Sequence, residues 1–250
     1  MYILRRIIFF AMMSVSFCAN AWNINDFGRE ISSPMTQESA RNVFIVGAST
    51  TFITNYFLRD SIVYPLRKTM TKSNRLGDAD EPIELAGRDV PNGIYFLSML
   101  GLGYFGEKDS DDQKRYYENA EVMFKATTYA ALVTTILKYT IREKRPNGPN
   151  RNSFPSGHTT TAFAFASVVG ARHPLYYGIP AYALAALVGV QRMNSDSHYL
   201  QDVLAGATVG TAFGLGINSL YDKSSENKNI TFSMIPISHN GFFASGRYSF

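Results

Sequence analysis

The stretch 192–202, RMNSDSHYLQD, combines a cation, a titratable nucleophile and a carboxylate in Arg192, His198 and Asp202. If the following helix starts near His198, Asp202 lies one turn later on the same face, where its carboxylate can orient the imidazole. Such a pair makes a histidine basic and nucleophilic. Taken alone, the stretch fits a surface histidine with an ordinary i,i+4 carboxylate better, because a short motif has many chance matches.

A second stretch, 152–160 (NSFPSGHTT), precedes an apolar run and has the features of a helix start. Ser156 is a natural N-cap, Gly157 lets another group approach the backbone closely, and the first-turn N–H groups point at whatever lies in front of them. A phosphate suits such a place, and His158 would stand beside it. The alternative is simply a capped helix with a histidine in its first turn.

A third stretch, 138–146 (KYTIREKRP), ends a long helical pattern. Seven residues at about 100° each would let Lys138 and Arg145 project within about 20° of one another, two turns apart. Pro146 then stops the helix, because the residue before a proline disfavours the α conformation. Two cations can therefore face one anion. The alternative is a set of basic residues that complement the macrodipole at a helix C-terminus.

Together, K-x6-R-P, P-S-G-H and R-x5-H-x3-D, in that order, resemble the three signature motifs of the type 2 phosphatidic acid phosphatase superfamily. That superfamily includes bacterial non-specific acid phosphatases, membrane lipid phosphatases and vanadium haloperoxidases. The match runs from Lys138 to Asp202 with every chemically essential position present. One departure is visible, since the family usually has Ser before the arginine of the third motif and this chain has Gln191. The Gln191 amide can still hydrogen-bond, so we expect a modest change in activity rather than its loss.

The resemblance implies a role for each histidine. His198 would attack the phosphorus to give a phosphohistidine, while Asp202 would hold its other ring nitrogen and stabilise the positive charge that develops. His158 would act as general acid toward the leaving oxygen, and then as base for the water that hydrolyses the intermediate.

The resemblance also implies how the phosphate is held. Lys138, Arg145 and Arg192 would bind the equatorial oxygens, assisted by Ser156 and the Gly157 N–H. Fixed cations stabilise transition-state charge electrostatically, so we expect neither a metal nor another cofactor.

Composition sets the domain organisation and the class of partner. With 250 residues, of which 46% are hydrophobic, the chain can form one sizeable domain, and it shows neither a repeat nor a long linker. We divide it into a signal peptide (1–21), a helical phosphatase domain (22–223) and a C-terminal tail (224–250). The net charge of +4 is dispersed, which favours an anionic substrate or a membrane surface and gives no case for nucleic acid.

The N-terminus has the pattern of an export signal. Arg5 and Arg6 precede an apolar-to-small run, 7–17, and an A-x-A cleavage site, 19–21. Cleavage there would remove Cys18, and a disulfide-free exported protein fits the bacterial periplasm. The alternatives are an uncleaved membrane anchor and a lipoprotein.

Apolar periodicity predicts an all-α fold, a bundle of about six helices with the site at one end. The predicted helices and charge-free runs are 42–58, 90–106, 116–142, 159–171, 176–191 and 200–221. Residues 67–92 are charged and contain glycine and proline, which indicates a loop with at most short helices. The acidic residues of this loop favour a solvated surface over a metal cluster, and they are Asp78, Asp80, Glu81 and Glu84.

Two further features concern packing and the membrane. Gly206, Gly210 and Gly214 recur every four residues along one face, where they would let another helix approach closely. Several charge-free runs are at or below the roughly 20 residues that a membrane span needs, although the stretch 200–221 is long enough, and the mean hydropathy is −0.09. These facts favour a periplasmic helical domain that rests on the membrane or is partly embedded in it, and an integral membrane protein stays an alternative.

The tail alternates in polarity around an Asn240-Gly241 pair, which indicates a β-hairpin. Such a hairpin would pack against the helical body or associate with an outer membrane.

The sequence therefore predicts an exported phosphatase that acts on a phosphomonoester or diphosphate. Its substrate would be a lipid of the isoprenyl diphosphate, phosphatidic acid or phosphatidylglycerophosphate type, with membrane contact. The alternatives are a periplasmic acid phosphatase on soluble phosphomonoesters, a vanadium haloperoxidase and a non-catalytic binding protein of the cell envelope.

Overall fold

The computed structural model describes residues 24–72, 76–108 and 110–222, together with the backbone of two strands. Within these residues the α-helices, in chain order, are α1 (Ile24–Ile31), α2 (Ser33–Thr36), α3 (Glu38–Tyr56), α4 (Tyr64–Thr71), α5 (Asp80–Ala86), α6 (Val90–Phe105), α7 (Asp111–Ile141), α8 (Gly157–Arg172), α9 (Leu175–Asn194) and α10 (Leu200–Asp222). A π-helical turn, Arg59–Val63, leads into α4, and a 3-10 turn, Gly77–Ala79, leads into α5.

The body is all-helical, as predicted, but the predicted count of about six helices is wrong, since ten α-helices form among the described residues. Six of them have 16 residues or more and four have eight or fewer. The short helices lie in polar stretches that contain proline. Pro34 and Pro65 stand in the first turns of α2 and α4, where the fixed φ of proline suits a helix start and its missing N–H removes no bond.

Helix α7 ends earlier than predicted. Lys138 lies in its last turn, but the helix stops at Ile141, and Arg142 takes a left-handed conformation with φ 54° and ψ 41°. Its N–H bonds to the carbonyl of Lys138, which closes the helix end. Arg145 therefore lies in the loop beyond α7, and the prediction that it shares a helical face with Lys138 is wrong.

Helices α8 and α10 pack through the predicted glycine face. A Cβ added to Gly206 would lie 2.5 Å from the carbonyl oxygen of Ser156, and one added to Gly210 would lie 2.3 Å from that of Thr160. A Cβ added to Gly214 would lie 2.5 Å from the Cβ of Ser167. Real Cβ atoms do not approach other atoms so closely, so the prediction of a close helix contact is confirmed.

The apolar core lies between α7, α8, α9 and α10, behind the N-terminal end of α8. Its largest members are fully buried and include Met123, Tyr129, Val168, Val188 and Ile217. Burial of such side chains contributes most of the free energy that orders the four helices.

A buried polar cluster fastens α1 to this core. The Lys125 ammonium on α7 lies 2.7 Å from the Glu30 carboxylate on α1 and donates to the Tyr221 hydroxyl at 2.9 Å. Tyr129 donates to the other Glu30 oxygen at 2.8 Å. Lys125 is 4% exposed and Glu30 is 2% exposed. Lys125 also lies 2.7 Å from Glu121, so it is the Glu30 carboxylate that depends on Lys125 for its neutralisation.

Exposed large apolar side chains are frequent on four of the long helices. On α3, α6 and α9 they include Ile45, Val46, Phe52, Ile53, Tyr56, Ile94, Leu97, Leu102, Phe105, Leu175, Tyr176, Tyr177, Ile179 and Leu187, and α7 carries Leu132, Ile136, Tyr139 and Ile141. In the described part of the chain, one helix, α10, is long and apolar enough to cross a membrane, and 67% of that stretch is buried against its neighbours.

The tail contains two antiparallel strands, β1 (Ile230–Ile237) and β2 (Gly241–Tyr248). They pair with Ile230 opposite Tyr248. The predicted turn residue Asn240, the predicted signal peptide (1–21) and residues 223–229 lie outside the described residues. The export signal and the division into a helical domain and a tail therefore stay predictions.

Candidate active site

The three sequence motifs meet at one end of the bundle, where α7 ends and α8 and α10 begin. The Ser156 N–H donates to the carbonyl of Asp202 at 2.9 Å, which joins the second motif to the third. The Lys138 ammonium donates to the carbonyl of Asn152 at 2.9 Å and to that of Pro155 at 2.5 Å, which joins the first motif to the second. Backbone and side-chain bonds thus hold the motifs as one unit.

His198 and Asp202 lie side by side in the interior, with 3% and 0% of their surface exposed. His198 Nδ1 is 3.7 Å from Asp202 Oδ2, so the predicted proximity of imidazole and carboxylate is present. The helix starts at Leu200 rather than at His198. His198 therefore stands in the loop before α10, and the carboxylate reaches back to it from the first turn.

Two other groups hold this carboxylate. Ser153 Oγ donates to Asp202 Oδ2 at 2.5 Å and lies 3.5 Å from His198 Nδ1, and the Tyr199 N–H donates to the same oxygen at 2.9 Å. Ser153 is fully buried. It stands next to the second motif in the sequence, but the spacing gives no sign that its hydroxyl reaches Asp202. The sequence analysis therefore did not predict this contact.

The electrostatics keep His198 neutral at pH 7. Burial lowers the pKa of its imidazole, and the Asp202 carboxylate opposes that effect. A neutral imidazole with a free lone pair is the form that attacks an electrophile.

His158 lies in the first turn of α8. Its Nε2 is buried and has no hydrogen-bond partner among the described residues. Burial, followed by the positive charge of Arg192, lowers the pKa of His158 to about 4. In the unliganded protein the ring is therefore neutral at pH 7, and it needs a nearby anion to hold a second proton.

Three cations lie near one another and near the histidines. Lys138 is half-buried, and burial, followed by the charge of Arg145, lowers its pKa to about 8. Arg192 is 6% exposed and donates to the hydroxyls of Ser195 at 3.1 Å and Ser197 at 3.0 Å. Within the described chain, the Nε atoms of Arg145 and Arg192 are buried without a partner. Buried cationic groups with unused donors suit a bound anion.

Arg67 on α4 holds the loop that carries Arg145 beyond the end of α7. Arg67 donates to both carboxylate oxygens of Asp196, at 2.7 and 2.8 Å, and to the carbonyl of Pro146 at 2.9 Å. It therefore ties the loop that carries Arg145 to the loop that carries His198. Nothing in the spacing of Arg67 indicates this role, since the partners lie far along the chain.

The start of α8 differs in one detail from the prediction. Ser156 occupies the N-cap position, but its side chain forms no capping hydrogen bond. Its hydroxyl instead accepts from the Thr159 hydroxyl at 2.9 Å. The predicted side-chain cap is thus wrong, because a neighbouring hydroxyl competes for the oxygen. Around Gly157, an added Cβ would meet only the Lys138 side chain, at 3.8 Å, so the backbone there is open to an approaching group.

Helix α5 brings two acidic residues to the site, which corrects the prediction of a solvated loop. Gln191, fully buried, donates to Asp80 Oδ1 at 3.0 Å. Glu84 Oε1 lies 3.9 Å from Arg192 Nη1. Gln191, which stands where the family motif usually has Ser, thus has a hydrogen-bond partner on α5. Among the described residues, no group of three or more His, Cys, Asp or Glu side chains is placed to hold a metal ion.

Comparison with known proteins agrees with this arrangement. The PAP2 superfamily profile matches residues 122–226, which contain all three motifs. This part of the chain belongs to the PAP2 superfamily. The resemblance seen in the motifs, to the type 2 phosphatidic acid phosphatases, is thereby confirmed.

One relative matches about half of the chain. The lipid A 1-phosphatase of Porphyromonas gingivalis is 35% identical over 125 residues, which are 47% of this chain and 26% of that protein. The chain thus spans about a quarter of that relative.

Two solved structures share the fold. A transmembrane PAP2 type phosphatidylglycerolphosphate phosphatase from Bacillus subtilis has a TM-score of 0.58 at 19% identity, over 74% of this chain and 96% of that one. Aquifex aeolicus LpxE has a TM-score of 0.52 at 21% identity, over 64% and 96%. At these identities the likeness concerns the fold alone.

Proposed function

We propose that this protein is a phosphatase that removes a phosphate from a phosphorylated lipid through a phosphohistidine on His198. The observation that carries the proposal is the pairing of two neutral histidines with three cations around one space. One histidine, His198, has a buried carboxylate beside it, and the other, His158, has a buried nitrogen without a partner among the described residues.

In the first step, His198 Nε2 attacks the phosphorus while Nδ1–H faces Asp202 and Ser153. The bond between phosphorus and the leaving oxygen breaks, and that oxygen takes a proton from His158. Lys138 and the two arginines stabilise the charge that develops on the transferring group. The positive charge on the phosphorylated imidazole is balanced by the Asp202 carboxylate.

In the second step, neutral His158 takes a proton from a water molecule that attacks the phosphohistidine. The P–N bond breaks, inorganic phosphate leaves, and His198 returns to its neutral form. The low pKa of His158 in the unliganded protein, about 4, suits this role as a base. Its role as an acid in the first step requires the bound phosphate dianion, which raises the pKa of a histidine beside it.

The exposed apolar faces of α3, α6 and α9 support a lipid as the substrate. Exposed apolar side chains in such number are typical of a membrane or partner contact, and a relative carries the name lipid A 1-phosphatase. We propose that these faces contact a membrane of the bacterial envelope and that the pattern in residues 1–21 exports the chain to it. The phosphate site then lies at one end of the bundle, within reach of a headgroup.

Phosphate release by the purified full-length chain tests the proposal. The panel contains lipid A 1-phosphate, phosphatidic acid, phosphatidylglycerophosphate and an isoprenyl diphosphate in mixed micelles, with p-nitrophenyl phosphate as the soluble comparison. We expect release from at least one lipid in the presence of EDTA, and none from His198→Ala. Turnover of p-nitrophenyl phosphate alone would instead indicate a soluble acid phosphatase, and halide oxidation with vanadate and peroxide would indicate a haloperoxidase.

A further inference from the structure

Helix α5 lies beside the first turn of α8. Gly87, which directly follows α5, packs against His158. A Cβ added to Gly87 would lie 3.0 Å from His158 Cβ and 3.1 Å from its ring Cδ2. The Thr161 hydroxyl on α8 donates to the Gly87 carbonyl at 2.7 Å and fixes this contact. Because His158 protonates the leaving oxygen in the proposed reaction, the leaving group departs past the end of α5.

Two carboxylates of α5 face the same region. Asp80 is held by Gln191, and Glu84 lies 3.9 Å from Arg192 Nη1. Both are partly buried. One cation, Arg88, accompanies them, and its guanidinium donates to Glu84 Oε1 at 2.9 Å. Two carboxylates and one cation leave this segment with a net negative charge, which partly offsets the positive charge of Arg192.

We infer that α5 is a specificity element, in which Glu84 and Asp80 favour phosphomonoesters with an uncharged leaving group and disfavour diphosphates. This inference rests on the proposed function. In a monoester the leaving group is a neutral alcohol or sugar, whereas in a diphosphate it carries a second phosphate. That second phosphate would bring its negative charge toward two fixed carboxylates, and like charges repel.

Two lipids with the same apolar part separate these cases. Farnesyl phosphate and farnesyl diphosphate differ by one phosphate, so the ratio of their kcat/KM values isolates the effect of leaving-group charge. We expect the wild type to prefer the monophosphate. Glu84→Gln should raise the relative kcat/KM for the diphosphate roughly tenfold, because it removes one repelling charge and frees Arg88 to attract the second phosphate. Asp80→Asn, which keeps an oxygen for Gln191, should act in the same direction.

Two control variants sharpen the test. Glu81→Gln makes the same charge change on the same helix, but Glu81 is exposed, so it should leave the ratio unchanged. Arg88→Gln should move the ratio the other way, toward the monophosphate. A wild type that prefers the diphosphate would overturn the inference. So would Glu84→Gln and Asp80→Asn ratios that match the Glu81→Gln ratio. If the wild type releases phosphate from neither lipid nor from the wider panel, the proposed function fails instead.

Discussion

Replacing Ser153 by alanine tests whether the buried serine positions the carboxylate of the site. The change removes one hydrogen bond of 2.5 Å to Asp202 Oδ2 and leaves the bond from the Tyr199 N–H to the same oxygen. Asp202 Oδ1 is buried without a partner among the described residues. The carboxylate would therefore keep a single strong donor and gain freedom to rotate.

The expected size follows from the charge on Asp202. A hydrogen bond to a charged group contributes about 1.5–3 kcal/mol. If that energy supports the imidazolium charge in the transition state, kcat should fall roughly 10- to 100-fold. Because Ser153 faces Asp202 and not the phosphate space, KM should change little. The rate of phosphohistidine formation should fall with kcat.

The assay is rapid quench without acid, using labelled substrate, together with steady-state kcat and KM. Ser167→Ala is a matched control, since Ser167 is equally buried on α8 but bonds to Tyr182 and the Phe163 carbonyl. It should leave kcat unchanged. Ser153→Thr keeps the hydroxyl and should recover part of the loss. A Ser153→Ala enzyme with kcat within twofold of the wild type would refute the positioning role.

Three further predictions concern the histidines, the pH profile and stability. His198→Ala should form no phosphoenzyme, whereas His158→Ala should form one from p-nitrophenyl phosphate and accumulate it, and the reverse pattern would exchange their roles. Since the pKa of Lys138 is lowered to about 8 and its charged form binds phosphate, kcat/KM should fall as pH rises through about 8. Lys138→Arg keeps the charge and should abolish that fall, and a fall that persists would assign it to another group. Lys125→Met leaves a buried carboxylate unpaired and should reduce the free energy of unfolding by roughly 3 kcal/mol. Replacing Arg29, which forms an exposed ion pair with Asp26, should change the free energy of unfolding by about 0.5 kcal/mol or less. Equal effects of the two substitutions in denaturant titrations would contradict the buried-pair argument.

Residue type and spacing predicted the core of the candidate site because the chemistry itself restricts them. A carboxylate four residues after a histidine is close enough to reach the ring, and the structure has the two side chains adjacent. The glycines of α10 were predictable for the same reason, since only a missing side chain lets helices approach so closely. These features depend on residue type and on short spacings along the chain, and both can be taken directly from a sequence.

Contacts between distant segments were not predictable in this way. Arg145 reaches the site through a loop held by Arg67, more than seventy residues earlier, rather than along the helix of Lys138. Asp80 lies in a stretch with the composition of a surface loop, and only the fold shows that the buried Gln191 amide donates to its carboxylate. A single sequence gives no signal for such pairs, because the free energy that joins them comes from packing.

The glycine contact between α8 and α10 decides which parts of the molecule can move. Helices separated by a layer of large side chains can slide when those side chains change rotamer, but here backbone lies directly against backbone. The bond from the Ser156 N–H to the Asp202 carbonyl adds a second constraint at the same end. We therefore expect the separation between His158, on α8, and His198, just before α10, to stay nearly constant while substrates enter and products leave. Helices α4 and α5 take no part in this backbone contact, so any adjustment of the site to substrates falls to them rather than to α8 and α10.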